Sequence, residues 1–281
     1  MVAAARAIEA HRHDALADDP YAEHFVRAEP ACAGWPLRPW EVPAGEADPL
    51  WGRLGRYFGL RTRVMDDFLL DAAGAGVRQL VVLGAGLDTR ALRLPWPPGC
   101  VVFEIDRDPV LTFKRRVLAE LPTGSPGGAE AAARVGLVAD LREPWEAALA
   151  RAGFDPARPT AWLAEGLLLY LPAATERRLM DTVDRLSAAG SVLAYEAKLT
   201  VESAEVRASP EYAAARDRIG VDLLALFDAE PRPDSARDLA DRGWIPSVHT
   251  PFEFTHRHGR GPLPRPPDAL AGNRWVFAHR R

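Results

Sequence analysis

Apolar residues fall at helical spacing early in the chain and in short β-branched blocks later. An Ala-rich stretch from Val2 to Leu16 has the helical period and stops at the turn signal Asp18-Asp19-Pro20. Residues 29 to 50 hold several Pro and Gly and read as irregular connection. From Arg53 to Leu70 the helical period returns, with Leu54, Tyr57, Phe58, Val64, Phe68 and Leu69 spaced to bury one face.

The pattern then alternates. Gln79 to Leu83 is a short apolar block ended by Gly84, as a buried parallel strand should be. Further strands are predicted at Cys100 to Ile105, Gly136 to Ala139, Ala161 to Ala164 and Ser191 to Tyr195, with late ones at Ile245 to Val248 and Arg274 to Ala278. Between them helical stretches run over Thr89 to Leu92, Pro109 to Leu121, Trp145 to Ala152 and Ala173 to Ala188. Such alternation implies βαβ units with right-handed crossovers. A long helical region is expected over Ser203 to Phe227 and a shorter helix over Ser235 to Arg242. The stretch His256 to Pro267, rich in Pro, Gly and Arg, reads as a surface loop. The predicted division is a helical cap over residues 1–75 and a Rossmann-like core over 76–281, with a helical insertion at about 200–235.

Composition narrows the classes. The chain has 281 residues, nearly half of them hydrophobic, with a formal net charge of -4. That is enough for a sizeable core, and no strong field draws the protein to nucleic acid or an anionic membrane. Cys32 and Cys100 are too few for a disulfide framework and lie in no metal-binding spacing, so no metal site is expected. The N-terminus lacks the apolar region of a signal peptide, and no run approaches the ~20 apolar residues that cross a bilayer. The expectation is a soluble cytoplasmic protein.

The chemistry clusters at strand ends. In LVVLGAGLDTRALRL, Leu80 to Leu94, a strand runs into Gly84-Ala85-Gly86 and then a helix start. Glycines let a ligand approach the backbone, and a helix N-terminus offers N–H groups; a plain tight turn is the alternative. Where a dinucleotide-binding loop has its third Gly, this chain has Thr89. S-adenosylmethionine carries no phosphate, so the shorter glycine motif suffices for it. Roughly twenty residues on, the second strand ends in Asp106, placed to accept ribose hydroxyls. Asp106 or Asp108 could instead cap the helix that follows. Asp140 closes the third strand and could bind an adenine edge or cap a helix. Glu165 is an acid within an apolar block at the fourth strand's end. It must be paired, as with an Arg, or sit at a ligand, where the sulfonium or amino group of S-adenosylmethionine could lie.

The series LGAGLDTRALRLPW, VVFEIDRDPVLTFKR, VADLRE and AEGLLLYLP resembles the leucine carboxyl methyltransferase-like family, above all its bacterial branch, which includes enzymes acting on polyketide-type carboxylic acids. DALADDPYAEHF, GLRTRVMDDFLL and LADRGW are similar to its pattern as well. The resemblance implies a class I methyltransferase fold: α/β, a seven-stranded, mostly parallel sheet with an antiparallel last strand, plus an N-terminal helical cap. It implies that Gly84 and Gly86 approach the cofactor S-adenosyl-L-methionine, that Asp106 holds the ribose, that Asp140 and Leu141 flank the adenine, and that Glu165 lies near the methionyl part. An Arg of the RTR segment, Arg61 ahead of Arg63, would grip the methionyl carboxylate; an interdomain or surface salt bridge is the other reading of Arg61. Residues 200 to 235 and the loop after His256 match no usable family pattern.

Methyl transfer from a sulfonium is an in-line displacement, so the protein mainly aligns the acceptor and excludes water. A carboxylate acceptor is already ionised at neutral pH and needs no base; a phenol or alcohol is helped by one. His11, His13, His24, His249, His256 and His258 read as solvated residues, so carboxyl methylation of a small secondary-metabolite-type molecule is favoured. No catalytic residue is assigned, and Tyr170 is set either in the acceptor pocket or in the core. Three alternatives compete: O-methylation of a phenolic or alcoholic hydroxyl, an NAD-dependent oxidoreductase on the same fold, and a catalytically silent cofactor-binding module.

Overall fold

The structure is a computed structural model that describes residues 1–121, 132–198, 204–265, 268 and 270–281. It divides into two compact units. One comprises Met1–Asp66, Thr200–Phe227 and Thr250–Asn273; the other comprises Asp67–Leu199, Asp228–His249 and Arg274–Arg281.

The second unit is built on a sheet of seven strands: β1 Gln79–Leu83, β2 Val101–Asp106, β3 Ala133–Val138, β4 Thr160–Ala164, β5 Val192–Lys198, β6 Trp244–His249 and β7 Asn273–Arg280. Their order is β3-β2-β1-β4-β5-β7-β6. β1 pairs in parallel with both β2 and β4, through Val81↔Phe103 and Val81↔Trp162. β6 and β7 are antiparallel. Hydrogen bonds from Gly190 N to Arg280 O and from Arg280 N to Ser191 O join the end of β7 to the start of β5. The last strand is therefore antiparallel, as the family resemblance implies. β1 and β4 are fully buried, which is why they read as unbroken apolar blocks. The core centres on Val81, Phe103, Trp162, Leu193, Tyr195 and Val276.

The strand order reverses between β1 and β4. In open α/β sheets ligands bind at such a switch point, outside the carboxyl ends of the strands. The loops after β1, β2 and β4 meet there.

In the first unit the helix Val2–Ala10 ends well before Leu16. The Leu16 N–H instead donates to Glu9 Oε1 at 2.7 Å. Glu9 is buried and also meets Arg12 and Arg56, each at 3.3 Å. The helical region expected over Ser203 to Phe227 is made of three helices among its described residues, Ala204–Arg207, Pro210–Ile219 and Leu223–Leu226; Ser203 lies outside the described residues. Pro210 starts the second of these, and Gly220 ends it in the left-handed region at φ 67, which only a residue without Cβ adopts freely. This helix is held to the turn Pro49–Leu54 by Arg53 on Glu211 at 3.0 Å and by Arg218 on Asp48. His256 to His258 are not loop but the last turn of the helix Pro251–His258. Pro266 and Pro267 lie outside the described residues.

Candidate cofactor site

At the end of β1, Gly84 takes φ 62, and a Cβ there would stand 2.8 Å from Leu167 Cδ1 in the loop after β4. A side chain at this position would need the end of the Leu167 side chain to shift, and would also have to adopt the positive φ. Ala85 N–H continues the ladder to Ile105 O at 2.9 Å. Gly86 N–H then donates to Asp106 Oδ2 at 2.6 Å, while Arg107 N–H donates to Oδ1 at 2.7 Å. Each carboxylate oxygen of Asp106 is thus oriented by one backbone donor. A carboxylate offers about four lone-pair sites, so capacity remains for a pair of vicinal hydroxyls, and the half-buried Asp106 fits a ribose. Asp108 does not cap: the N-cap of the helix Asp108–Ala119 is Arg107, and Asp108 Oδ1 accepts from Thr112 Oγ1 at 3.2 Å.

Beyond Gly86 the loop enters the short helix Arg90–Arg93. Asp88 Oδ1 accepts from Arg90 N–H at 2.7 Å, so a carboxylate already sits at this helix start. A pyrophosphate would meet like charge there, and the fully buried Thr89 leaves no glycine for its approach. The site therefore disfavours a dinucleotide.

Glu165 follows β4. Its Oε2 lies 2.7 Å from Arg90 Nη2, and Arg90 also contacts Asp88 directly. Arg90 is 1% exposed. The ion pair with an Arg that the sequence left open for Glu165 is therefore present, at a strand end where ligands bind. Arg90 was not a candidate at the level of sequence. Its only signal was its place in LDTRALRL, which does not tell which carboxylate it reaches.

Asp140 and Leu141 follow β3. Asp140 caps no helix, since the next one, Glu146–Arg151, has Trp145 as its N-cap. Its carboxylate takes Arg142 Nε at 2.9 Å, Nη2 at 2.5 Å and the Arg142 N–H at 3.0 Å. These bonds, the side-chain one foremost, lower its carboxyl to about 2. Leu141 packs half-buried against the core. Tyr170 ends the turn Leu168–Tyr170 and is 44% exposed, which removes its core-packing reading. Arg61 belongs to the other compact unit, on the helix Gly55–Gly74, where its guanidinium stands 4.9 Å from the Phe58 ring centre. Within the second unit, then, Gly84, Gly86, Asp106 and Glu165 are gathered at adjoining loops.

Two buried carboxyls serve elsewhere. Glu104 on β2 holds Lys114 at 2.8 Å and Arg134 at 3.3 Å, and burial pushes its carboxyl up. Glu176 lines a cavity of about 400 Å³ beside β5, together with Leu168, Leu169, Tyr195, Lys198 and Ser235. Among the described residues no group of three or more His, Cys, Asp or Glu could hold a metal ion, and no helix is long and apolar enough to cross a membrane.

The sheet order, the glycine turn and the acid at the end of β2 are those of a Rossmann-like fold, and the family and relatives that the chain matches make it a methyltransferase dependent on S-adenosylmethionine. The chain belongs to the leucine carboxyl methyltransferase family, whose model matches residues 1–184. It is 62% identical over 281 residues to a Streptomyces coelicolor protein named as a candidate S-adenosyl-L-methionine-dependent methyltransferase, covering 100% of this chain and 91% of that one. A Saccharopolyspora erythraea protein of the same name is 47% identical over 243 residues, covering 86% of this chain and 80% of its own. The fold is similar to a Streptomyces avermitilis DUF574 family protein, with TM-score 0.54 and 18% identity over 92% of this chain and 97% of that chain.

Proposed function

We propose that the protein transfers the methyl group of S-adenosylmethionine to the carboxylate of a small organic acid, of the kind found in secondary metabolism. The observation that carries this is Asp106 held by Gly86 N–H and Arg107 N–H at the switch point of the sheet. In this reading Gly84 and Gly86 give the cofactor close access, Asp106 takes the ribose hydroxyls, and Asp140 with Leu141 borders the adenine. Glu165 borders the methionyl part, Arg61 holds its carboxylate, and Tyr170 lines the acceptor side.

The bound cofactor supplies an activated methyl on a cationic sulfur. The new bond is acceptor oxygen to methyl, the broken one is sulfur to methyl, and the electron pair stays on sulfur. The chain's task is alignment and exclusion of water. A carboxylate acceptor suits the loops after β1, β2 and β4, which carry no histidine, and it asks for no proton transfer. The cavity of about 400 Å³ begins at Leu168 and Leu169, three residues past Glu165, and Lys198 is among the residues that line it. That size suits a small ligand.

The test has two stages. Calorimetric titration with S-adenosylmethionine, S-adenosylhomocysteine and NAD should show the first two binding and NAD not. Labelled methyl transfer to a panel of aromatic and polyketide acids should give a product that mild alkali hydrolyses to methanol, as a methyl ester does. An alkali-stable product would mean an ether, and a hydroxyl acceptor.

A further inference from the structure

The cavity beside β5 is lined from the second unit alone, and its wall carries a buried carboxyl that the cofactor site does not use. Glu176 sits there on the helix Ala173–Arg185. Its ion-pair partner is shared. Arg232 Nη1 donates to Leu168 O at 2.8 Å and Leu171 O at 3.0 Å, and reaches Glu176 Oε2 at 3.2 Å. Nη2 donates to Leu171 O and to Asp228 Oδ1, each at 3.0 Å. Glu176 thus takes the longest of these five bonds from a guanidinium that a second carboxylate also holds. Ser235 gives Glu176 a hydroxyl hydrogen bond, and the same hydroxyl meets Tyr195 Oη at 3.1 Å. Arg177 acts on Glu176 as a further cation and Asp238 as an anion, and Lys198 and Asp234 complete the charged lining of the cavity. Burial outweighs the favourable partners and raises the Glu176 carboxyl to about 7. Burial raises the Tyr195 hydroxyl as well, so it stays neutral.

A small acid entering this cavity brings a second negative charge into the same poorly solvated space. Like charges so placed disfavour each other, and a proton on Glu176 removes the conflict. We propose that Glu176 is a charge gate of this cavity, which admits a small organic acid while Glu176 is neutral and excludes it once Glu176 is ionised. This rests on the proposed function, in which the ligand is a small organic acid. Binding of the anion and retention of the proton are linked, so each favours the other.

The experiment titrates the full chain with benzoate and with benzamide, its neutral counterpart, and reads each Kd by ligand-observed NMR. Benzoate stays ionised from about pH 6 to about pH 8, so a change over that range belongs to the protein. In the wild type the Kd of benzoate should rise about tenfold across it, as linkage to one proton held to about 7 requires. The Kd of benzamide should stay within about twofold, since it adds no charge. Glu176→Gln is neutral at every pH, so its benzoate Kd should stay low and flat. A rise equal to that of the wild type, or a flat wild-type profile, overturns the gate. If Glu176→Gln does not fold, Ser235→Ala decides. Loss of the hydroxyl that pulls the Glu176 carboxyl down should move the midpoint of the benzoate profile to higher pH, and an unmoved midpoint overturns the proposal. Ala197→Leu takes space from the cavity and should weaken both probes severalfold. Affinities that it leaves unchanged, or a wild type that binds neither probe, take the ligand out of the cavity and the gate with it. The carboxylate reading fails separately, through an alkali-stable methylated product, which the benzoate profiles do not affect.

Discussion

Asp106 makes the sharpest claim at the scale of single residues. Both of its oxygens are held by backbone donors, so Asp106→Ala removes an oriented acceptor and leaves the Gly86 and Arg107 N–H groups without it. S-adenosylmethionine should bind more weakly by about 1 kcal/mol or more, read by calorimetry. Unchanged affinity would remove Asp106 from the site. Gly84→Ala should cost stability of about 1–2 kcal/mol, because the new Cβ meets both a positive φ and Leu167 Cδ1 at 2.8 Å. A melting temperature equal to that of the wild type would show that the loop after β4 can yield. Both positions were legible in the sequence because each ends a strand with a residue type that the strand does not want. Arg90 was not. Its partner Glu165 lies far along the chain, and with 35 Lys and Arg the sequence cannot say which cation reaches that carboxylate.

At the scale of elements, buried strands declared themselves and exposed features did not. β1 and β4 fall where the apolar blocks stand, because both faces of each are covered. β3 begins at Ala133, ahead of the expected Gly136, because this edge strand is interrupted by the charged Arg134, whose side chain reaches Glu104 at 3.3 Å. The helix Pro251–His258 was hidden by the Pro- and Gly-rich residues beyond it, although its start is written as Thr250-Pro251-Phe252-Glu253. There Glu253 N–H donates to Thr250 Oγ1 at 3.4 Å, and Thr250 N–H donates to Glu253 Oε1 at 2.9 Å. Thr250→Ala should therefore destabilise by about 0.5–1 kcal/mol, the low end for an N-cap, since the shorter reciprocal bond survives. A urea titration of the two proteins checks this, and a loss above that range would mean that the hydroxyl carries more than the cap.

At the scale of the whole molecule, legibility divides along the chain. The family match ends at residue 184 and so includes every candidate cofactor residue, from Arg61 to Glu165, whereas β5 to β7 and most of the cavity beside β5 lie beyond it. Cofactor chemistry could therefore be read from sequence while the acceptor could not. The cavity beside β5 also holds a titration that acts on the stability of the fold. Glu176 is 2% exposed, and burial raises its carboxyl to about 7 from an ordinary 4.5, although Arg232 at 3.2 Å, Ser235 and Arg177 pull it down; Asp238 adds to the rise. The folded protein keeps this proton up to about pH 7, whereas the unfolded chain releases it near 4.5, so folding takes up a proton between the two values. The contribution is complete below the lower value and is lost as pH rises through the upper one. Glu176→Gln carries no such proton. The stability of the wild type should thus fall relative to Glu176→Gln by on the order of 2 kcal/mol between about pH 5 and pH 8. Urea midpoints measured on both proteins across that range check it. Parallel curves would mean that Glu176 stays ionised throughout, with Arg232 outweighing its burial.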